Sequence, residues 1–150
     1  MGLCSHKEKG HETTSGLLSF AFLNMLKNPS TYFAAQEEVD RIIGKEKVRS
    51  SHLNELKYVQ AVLRETLRLT PTAPAITRGV RPENKKEQET LGGGKYAMPA
   101  QGGVVCLLTK IQKDPKVWGG DSNEFKPERM LDENFEKLPK NAWKVCFSLR

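Results

Sequence analysis

The sequence predicts a mainly α-helical chain with small β-sheets, and three observations support this prediction. Before Pro71, apolar residues recur at helical spacing in long stretches. After Pro71, short apolar runs alternate with glycine-rich and charged loops, as in short strands. From Lys113 onward Pro, Gly, Asp and Asn recur, which is typical of irregular structure. The predicted order is therefore helices, then short strands, then an irregular tail.

The first predicted helix covers residues 12 to 27 and is apolar on most sides. Leu, Phe, Ala and Met fill nearly every position between Leu17 and Leu26. A helix with so little polar face belongs inside a larger protein. The apolar stretch falls well short of the ~20 residues that cross a bilayer, so we expect no membrane-spanning segment here.

Two more helices are predicted before Pro71. Asn28 is the expected N-cap of the second, with Pro29 at its first helical position and Gly44 as its natural end. The third runs from about Asn54 to Leu69 and ends before Pro71. The apolar stripe of the second comprises Tyr32, Ala35, Val39, Ile42 and Ile43, and that of the third Leu56, Val59, Leu63 and Leu67.

The rest of the chain predicts short elements. Ala75 to Arg81 is a candidate strand, and residues 82 to 90 form a charged loop. Leu91–Met98 and Val104–Leu108 are predicted strands around a turn at Pro99–Gly103. A helical piece is expected near Lys116–Trp118. The last twenty residues show no clear periodicity.

Composition and charge exclude several classes of protein. Of 150 residues, 37% are hydrophobic, below the usual ~45–50%, which argues against a richly packed independent core. The net charge is +6, but the basic residues are scattered without interleaved aromatics, so we expect no nucleic-acid binding. Three widely spaced cysteines fit a reducing compartment, and we expect a cytoplasmic protein.

Two motif-like stretches do not meet the requirements of the sites they suggest. His11-Glu12-Thr13-Thr14-Ser15 has Ser15 where a zinc-protease helix needs its second His. Gly92-Gly93-Gly94-Lys95 lacks the earlier Gly and the following Ser or Thr of a phosphate-binding loop. A turn between short strands is the better interpretation of the glycines, and we expect no metal site near His11.

Two other groups of residues each allow two interpretations. Glu65 and Arg68 are one turn apart and roughly opposite the apolar stripe, which predicts an exposed ion pair worth about 0.2–0.5 kcal/mol. Paired Thr13 and Thr14 are poor choices inside a helix. They either cap its start, or distort it toward a pocket where a hydroxyl and the Glu12 carboxylate deliver a proton.

Three segments, in this order and at these separations, resemble the cytochrome P-450 family. The first, Gly10 to Gly16, resembles the oxygen-activation stretch of the central helix. Glu65-Thr66-Leu67-Arg68 resembles the E-x-x-R of the K helix, and Phe125 to Met130 resembles the P-E-R-F meander. The amino-acid sequence of this stretch is similar to that of self-sufficient fatty-acid hydroxylases, whose haem domain is fused to a flavin reductase. The resemblance covers residues 10–144, with 1–9 and 145–150 as a leader and tail foreign to the family.

The resemblance implies roles for individual residues. Thr13 would be the alcohol that helps protonate oxygen, with Glu12 as its acidic neighbour in a proton relay. Gly10 and Thr14 would lie against the haem. Thr72 and Ala73 would line the pocket above it.

The resemblance also implies a structural network and an axial ligand. Glu65, Arg68 and Arg129 would form a buried charge network that holds the meander, where removing one partner costs about 3–5 kcal/mol. The family's haem is held by a Cys thiolate. Cys146 lacks the glycine and phenylalanine expected before it, and Cys106 and Cys4 are misplaced. We therefore assign no axial ligand and no metal site.

The resemblance implies a piece of a monooxygenase haem domain. The intact protein would hydroxylate a fatty acid with O2 and with electrons that pass from NADPH through FAD and FMN. The chain alone is expected to be inactive and to hold no cofactor. The alternatives are a non-enzymatic truncated product and a basic module that binds an acidic partner. Because the resemblance stops abruptly after Lys144, we expect both ends to be splicing or gene-model artefacts.

Overall fold

The computed structural model describes residues 8–79, 90–99 and 102–138, with side chains from His11 onward. They form two compact units. One unit contains residues up to 72 and those from 109, and the other contains residues 73–108. The first unit is helical and the second holds two small antiparallel sheets, which confirms the predicted fold class.

The first unit begins with four helices, α1 (Glu8–Lys27), α2 (Pro29–Ile42), α3 (Ser50–Leu53) and α4 (Lys57–Leu69). The predicted break between α1 and α2 is confirmed, with Pro29 in the first turn of α2. Asn28 occupies the N-cap position, but its side chain does not cap α2. Its Nδ2 instead donates to the carbonyl of Asn24, 2.8 Å away in the last turns of α1.

The third predicted helix begins three residues later than expected, at Lys57 rather than Asn54. The reason is a tertiary cap. Both carboxylate oxygens of Glu38 on α2 accept hydrogen bonds at the start of α4, from the N–H groups of Tyr58 (2.8 Å) and Val59 (2.9 Å). These are free donors of a helix's first turn, so Glu38 fixes where α4 starts.

Burial along α2 and α4 departs from the predicted stripes. Glu38 is buried on α2, whereas Tyr32 is 42% exposed. On α4, Leu56 is buried as predicted, but the polar side that was expected to be exposed is buried as well. The buried residues of α4 are Ala61, Val62, Glu65, Thr66 and Arg68. Helix α4 is therefore covered on both sides.

The later part of the first unit covers α4. It contains the end of α5 (Leu108–Ile111), α6 (Pro115–Trp118), a 3₁₀ helix (Pro127–Met130) and α7 (Asp132–Glu136). The predicted helical piece is confirmed by α6. The predicted irregular tail is wrong in part, because it contains the 3₁₀ helix and α7. A small core of Ala61, Trp118 and Met130 lies here, with Val117, Leu131, Phe135 and Leu138 packed around it.

The second unit is built from two strand pairs. Strands β1 (Ala75–Gly79) and β4 (Gly103–Leu107) are antiparallel, with Ala75 opposite Leu107. Strands β2 (Thr90–Leu91) and β3 (Tyr96–Ala97) form a hairpin. The single predicted strand Leu91–Met98 is therefore wrong. The chain reverses at its three consecutive glycines, where φ lies between 61° and 93°, a region that side chains disfavour.

Other strand predictions change at their ends. Strand β1 stops at Gly79, and the last two residues of the predicted strand, 80 and 81, lie outside the described residues. Leu108 begins α5 rather than ending a strand. Across the described ranges, no helix is long and apolar enough to cross a membrane.

Candidate functional site

The centre of the site is an ion pair inside the first unit. Glu65 and Arg68 lie one turn apart on α4, and neither side chain is exposed to solvent. Arg68 donates from Nε to Glu65 Oε2 and from Nη2 to Oε1, both at 2.8 Å. The exposed pair predicted from spacing alone is wrong, because residues 112–130 cover this face of the helix. Two parallel charge-assisted bonds of this kind are among the strongest polar contacts in proteins.

The remaining donors of Arg68 bind main-chain carbonyls. Nη1 donates to the carbonyls of Gln112 (3.0 Å) and Ser122 (2.6 Å). Nη2 donates to the carbonyl of Glu124 at 3.0 Å. The ring of Trp118 faces the guanidinium, with its centroid 4.9 Å from Cζ. All five N–H groups of Arg68 are thereby satisfied, as burial of a charge requires.

Arg129 joins this pair from the 3₁₀ helix. Its Nε lies 3.2 Å from Glu65 Oε1, and the same oxygen accepts a hydrogen bond from the N–H of Lys126 at 3.0 Å. The structure therefore brings together three predicted site residues, Glu65, Arg68 and Arg129, which we call the buried network. It joins α4 to the segment around the 3₁₀ helix.

A second layer of charge lies at the edge of the buried network. Asp121 is 3.3 Å from Nη2 of Arg129 and 2.7 Å from Nζ of Lys126. Hydrogen bonds from Lys126 and then Arg129 lower the pKa of Asp121 to about 2. The hydrogen bonds that Lys126 donates to Asp121 and then to Glu124 raise the pKa of Lys126.

Three polar contacts tie α4 to the 3₁₀ helix and α7. Asp132 lies 2.8 Å from Nζ of Lys57 and 2.9 Å from Nη1 of Arg64, and we call these three residues the outer clasp. The hydrogen bond from Lys57, followed by that from Arg64, lowers the pKa of Asp132. Tyr58 donates to Glu128 at 2.8 Å. Burial, and then this bond, raise the pKa of Tyr58 to about 12.

The residues expected to handle oxygen lie on α1. Glu12, Thr13 and Thr14 are exposed, and they lie well inside a helix that already includes Glu8. The interpretation of Thr13 or Thr14 as a helix cap is therefore wrong. The side chain of Ser15 bonds back to the carbonyl of Glu12 at 3.1 Å, a contact within the same helix.

Other residues predicted near the haem are only partly placed. A methyl group added at Gly16 would lie 3.6 Å from Cγ2 of Thr72, so Thr72 is next to the oxygen-activation stretch of α1. Gly10 lies in α1, and its surroundings are outside the described side chains. Ala73 belongs to the other unit.

The described donors do not complete a haem site. Within residues 8–79, 90–99 and 102–138 the one cysteine is Cys106, which lies on β4 opposite Ile76. The same ranges contain no group of three or more His, Cys, Asp or Glu side chains that could hold a metal ion. Cys4 and Cys146 lie outside the described residues. Among the described residues, the structure thus shows no axial ligand for a haem.

Sequence reasoning missed several residues of the site. The missed residues are Glu38, Trp118, Asp121 and Asp132. The burial of Glu38 was missed because an acidic residue in a helix is normally expected to face solvent. The other three lie in the stretch that was predicted to be mostly irregular. Their signal was the presence of acidic and aromatic residues between basic ones, which periodicity does not detect.

Comparison with known proteins gives a consistent result. Residues 9–148 match the family described as cytochrome P450. A bifunctional cytochrome P450/NADPH–P450 reductase of Aspergillus oryzae is 62% identical over 136 residues, which are 90% of this chain and 12% of that protein. The corresponding protein ascE of Acremonium egyptiacum is 56% identical over 90% of this chain and 13% of its own length.

A third relative is called self-sufficient in its name. It is the cytochrome P450 monooxygenase CYP505AG1 of Oidiodendron maius, 55% identical over 90% of this chain and 12% of that protein. The chain thus spans about an eighth of the length of the curated relatives it matches.

Proposed function

This chain belongs to the cytochrome P450 family of haem monooxygenases, and from that membership we propose that it is the segment of a self-sufficient fatty-acid hydroxylase that anchors the meander and presents the proton relay. The relatives are fusions with an NADPH–P450 reductase, which implies FAD and FMN in the whole protein. When bound, the haem supplies the oxygen chemistry: one atom of O2 enters a substrate C–H bond and the other leaves as water, at the expense of NADPH. We place this activity in the cytoplasm, in keeping with the scattered cysteines.

The buried network is the observation that supports this proposal most. Its three charged residues, Glu65, Arg68 and Arg129, are those that the resemblance assigns to the family's structural network. Their contacts join α4 to the segment around the 3₁₀ helix, over sequence separations of 44 to 61 residues. Such an anchor holds the chain rigidly beside the reaction site without touching substrate.

Helix α1 provides the chemically active groups of the proposal. The Thr13 hydroxyl holds a proton at Oγ1, and the Glu12 carboxylate next to it in the helix replaces that proton from solvent. Gly10 and Thr14 face the cofactor in this scheme, and Thr72 lines the substrate side. The resemblance also assigns Ala73 to the pocket. General acid catalysis by a positioned group contributes about 10²–10⁴-fold to a rate.

A chimera tests the proposal. The matching 136 residues of the Aspergillus oryzae relative are replaced with those of this chain. We expect a thiolate-type band with carbon monoxide and hydroxylation of a fatty acid. Thr13→Ala in the chimera should release peroxide and lower the product formed per NADPH, whereas Ser15→Ala, a neighbouring hydroxyl on the same helix, should not.

The chimera can also reject each part of the proposal. A chimera that binds haem and consumes NADPH but hydroxylates no fatty acid of any length would rule out the substrate class. Equal coupling in the Thr13→Ala and Ser15→Ala variants would rule out the proton relay. The substrate class and the relay thus fail on different measurements.

The isolated chain is proposed to be inactive. With haem, dithionite and carbon monoxide it should not give the red-shifted Soret band of a thiolate complex. A band that appears, and that is lost in Cys146→Ala, would show that Cys146 is an axial ligand and overturn this part of the proposal.

A further inference from the structure

Helix α7 is held to the rest of its unit differently from the 3₁₀ helix before it. Pro127 and Met130 of the 3₁₀ helix are buried, and Met130 is completely inaccessible. None of the residues of α7 is buried. The two elements are separated by the single residue Leu131, so the change from deep burial to a surface attachment is abrupt.

The attachment of α7 combines half-buried Phe135, which packs against the small core, with polar contacts at the surface. Asp132 and its partner Lys57 have side chains that are 49% and 54% exposed. Arg64 bonds both Asp132 and the carbonyl of Met130 (3.1 Å), and its Cζ lies 4.8 Å from the ring centroid of Phe135. Exposed ion pairs contribute little each, and salt screens them.

We propose that α7 is a salt-releasable strap, which detaches from α4 as a unit while the 3₁₀ helix and the buried network stay in place. The outer clasp sets its docking: Lys57 and Arg64 on α4 face the Asp132 carboxylate, with Glu128 as the nearby acid of the 3₁₀ helix. Glu133 and Glu136 of α7 add negative charge to the same strap. Glu65 and Arg68 of the buried network are shielded from solvent, so salt affects their pairing much less.

The consequence of release is a newly exposed cationic surface. Lys57 and Arg64 lose their shared carboxylate, while Arg64 keeps its hydrogen bond to the carbonyl of Met130. A strap of this kind changes the charge of one face of the unit without unfolding its centre. The inference depends on the contacts of α7 and not on the monooxygenase proposal.

Hydrogen exchange in the full 150-residue chain tests the strap. The amides of Phe135 and Leu138, which donate to Leu131 and Phe135, report on α7, and the amides of α4 report on the unit. Raising salt from about 0.02 M to about 0.5 M should speed exchange in α7 about two- to fivefold and leave α4 unchanged. Asp132→Asn at low salt should reproduce the acceleration and remove the salt response.

Matched variants keep the result interpretable. Lys57→Gln removes one of the two pairs and should give a smaller acceleration than Asp132→Asn. Asp40→Asn, an exposed acid on α2, is the control and should change nothing. Any of three results would overturn the strap proposal. Exchange in α7 and α4 could respond equally to salt, or the amides of α4 could show no protection. The Asp132→Asn variant could also exchange like the Asp40→Asn control. None of these outcomes bears on the chimera, so the two proposals fail separately.

Discussion

Helices α1 and α4 belong to the same compact unit but differ in the burial of their polar residues. On α4 the charged Glu65 and Arg68 are completely buried, and every donor of the guanidinium has a partner. On α1 the polar Glu12 and Thr13 are exposed, and so are several large apolar residues. Those apolar residues are Leu18, Phe20, Phe22, Leu23 and Leu26.

The two helices differ in where the partners of their polar residues come from. The covering of α4 comes from residues 112–130 of the same unit, so its charges are paired within the described chain. Helix α1 is packed on one side only, where an apolar groove of about 400 Å³ lies between it, α2 and α4. The charges on α4 therefore contribute to folding, whereas Glu12 and Thr13 on α1 are accessible to solvent.

The largest expected effect is the loss of the buried cation. Arg68→Met should destabilise the chain by about 3–5 kcal/mol, because Glu65 then remains buried without its partner and three carbonyls lose their donors. Urea denaturation followed by circular dichroism measures the change. Lys110→Met removes an exposed cation from the same unit and is the control. A loss no larger than that of the control would mean that α4 and α1 do not differ as described.

A smaller effect is expected at the start of α4. Glu38→Gln should cost about 1–3 kcal/mol, because one of two carboxylate oxygens that accept N–H bonds becomes an NH2 group facing donors. Glu37→Gln, an exposed neighbour on α2, should be nearly neutral. Unfolding midpoints of the two variants test this, and equal midpoints would show that the tertiary cap contributes nothing.

At the edge of the buried network, Asp121 should make the stability of the chain depend on pH in the acid range. The pKa of Asp121 in the folded chain, about 2, is below its ordinary value of 3.8, so its contribution to stability is present above pH 4 and is lost as the pH falls toward 2. Asp121→Asn should therefore be less stable than the wild type at neutral pH, and the two should converge near pH 2. Thermal melts across this range measure it. A difference that is independent of pH would contradict the assignment.

The smallest effect is expected on the open side of α1. Leu26 is 72% exposed, so Leu26→Ser should change the free energy of unfolding by less than about 0.5 kcal/mol and reduce the binding of a hydrophobic dye. Ala21, on the same helix, is 3% exposed, and Ala21→Asp should destabilise by about 1–3 kcal/mol because it places a charge among apolar residues. If Leu26→Ser proved as damaging as Ala21→Asp, α1 would be packed on both sides.

Local chemistry explains what could be predicted from sequence. Asn28 and Pro29 mark the boundary between α1 and α2, and Pro71 follows the end of α4, because proline restricts its own backbone and that of the residue before it. The three glycines predicted a turn between short strands, and the structure confirms that turn. These signals lie within a few residues of the feature that they determine.

Contacts between distant residues explain what could not be predicted. The spacing of Glu65 and Arg68 says that they share a helix face, but their cover comes from carbonyls 44 to 56 residues away. The inward orientation of Glu38 depends on amides 20 and 21 residues later. A resemblance could place the network because it compares whole chains, whereas periodicity examines one helix at a time.

The hydrogen bonds from Arg68 to residues 112, 122 and 124 affect how this segment tolerates sequence change. Its three hydrogen bonds outside α4 are with main-chain oxygens, which every amino acid supplies. Positions 112 and 122 are nearly inaccessible and so restrict side-chain size, while the Glu124 side chain is 62% exposed. Substitutions between residues 112 and 124 can therefore accumulate wherever the side-chain volume fits. Arg68 itself has no substitute, because lysine lacks the planar set of five donors.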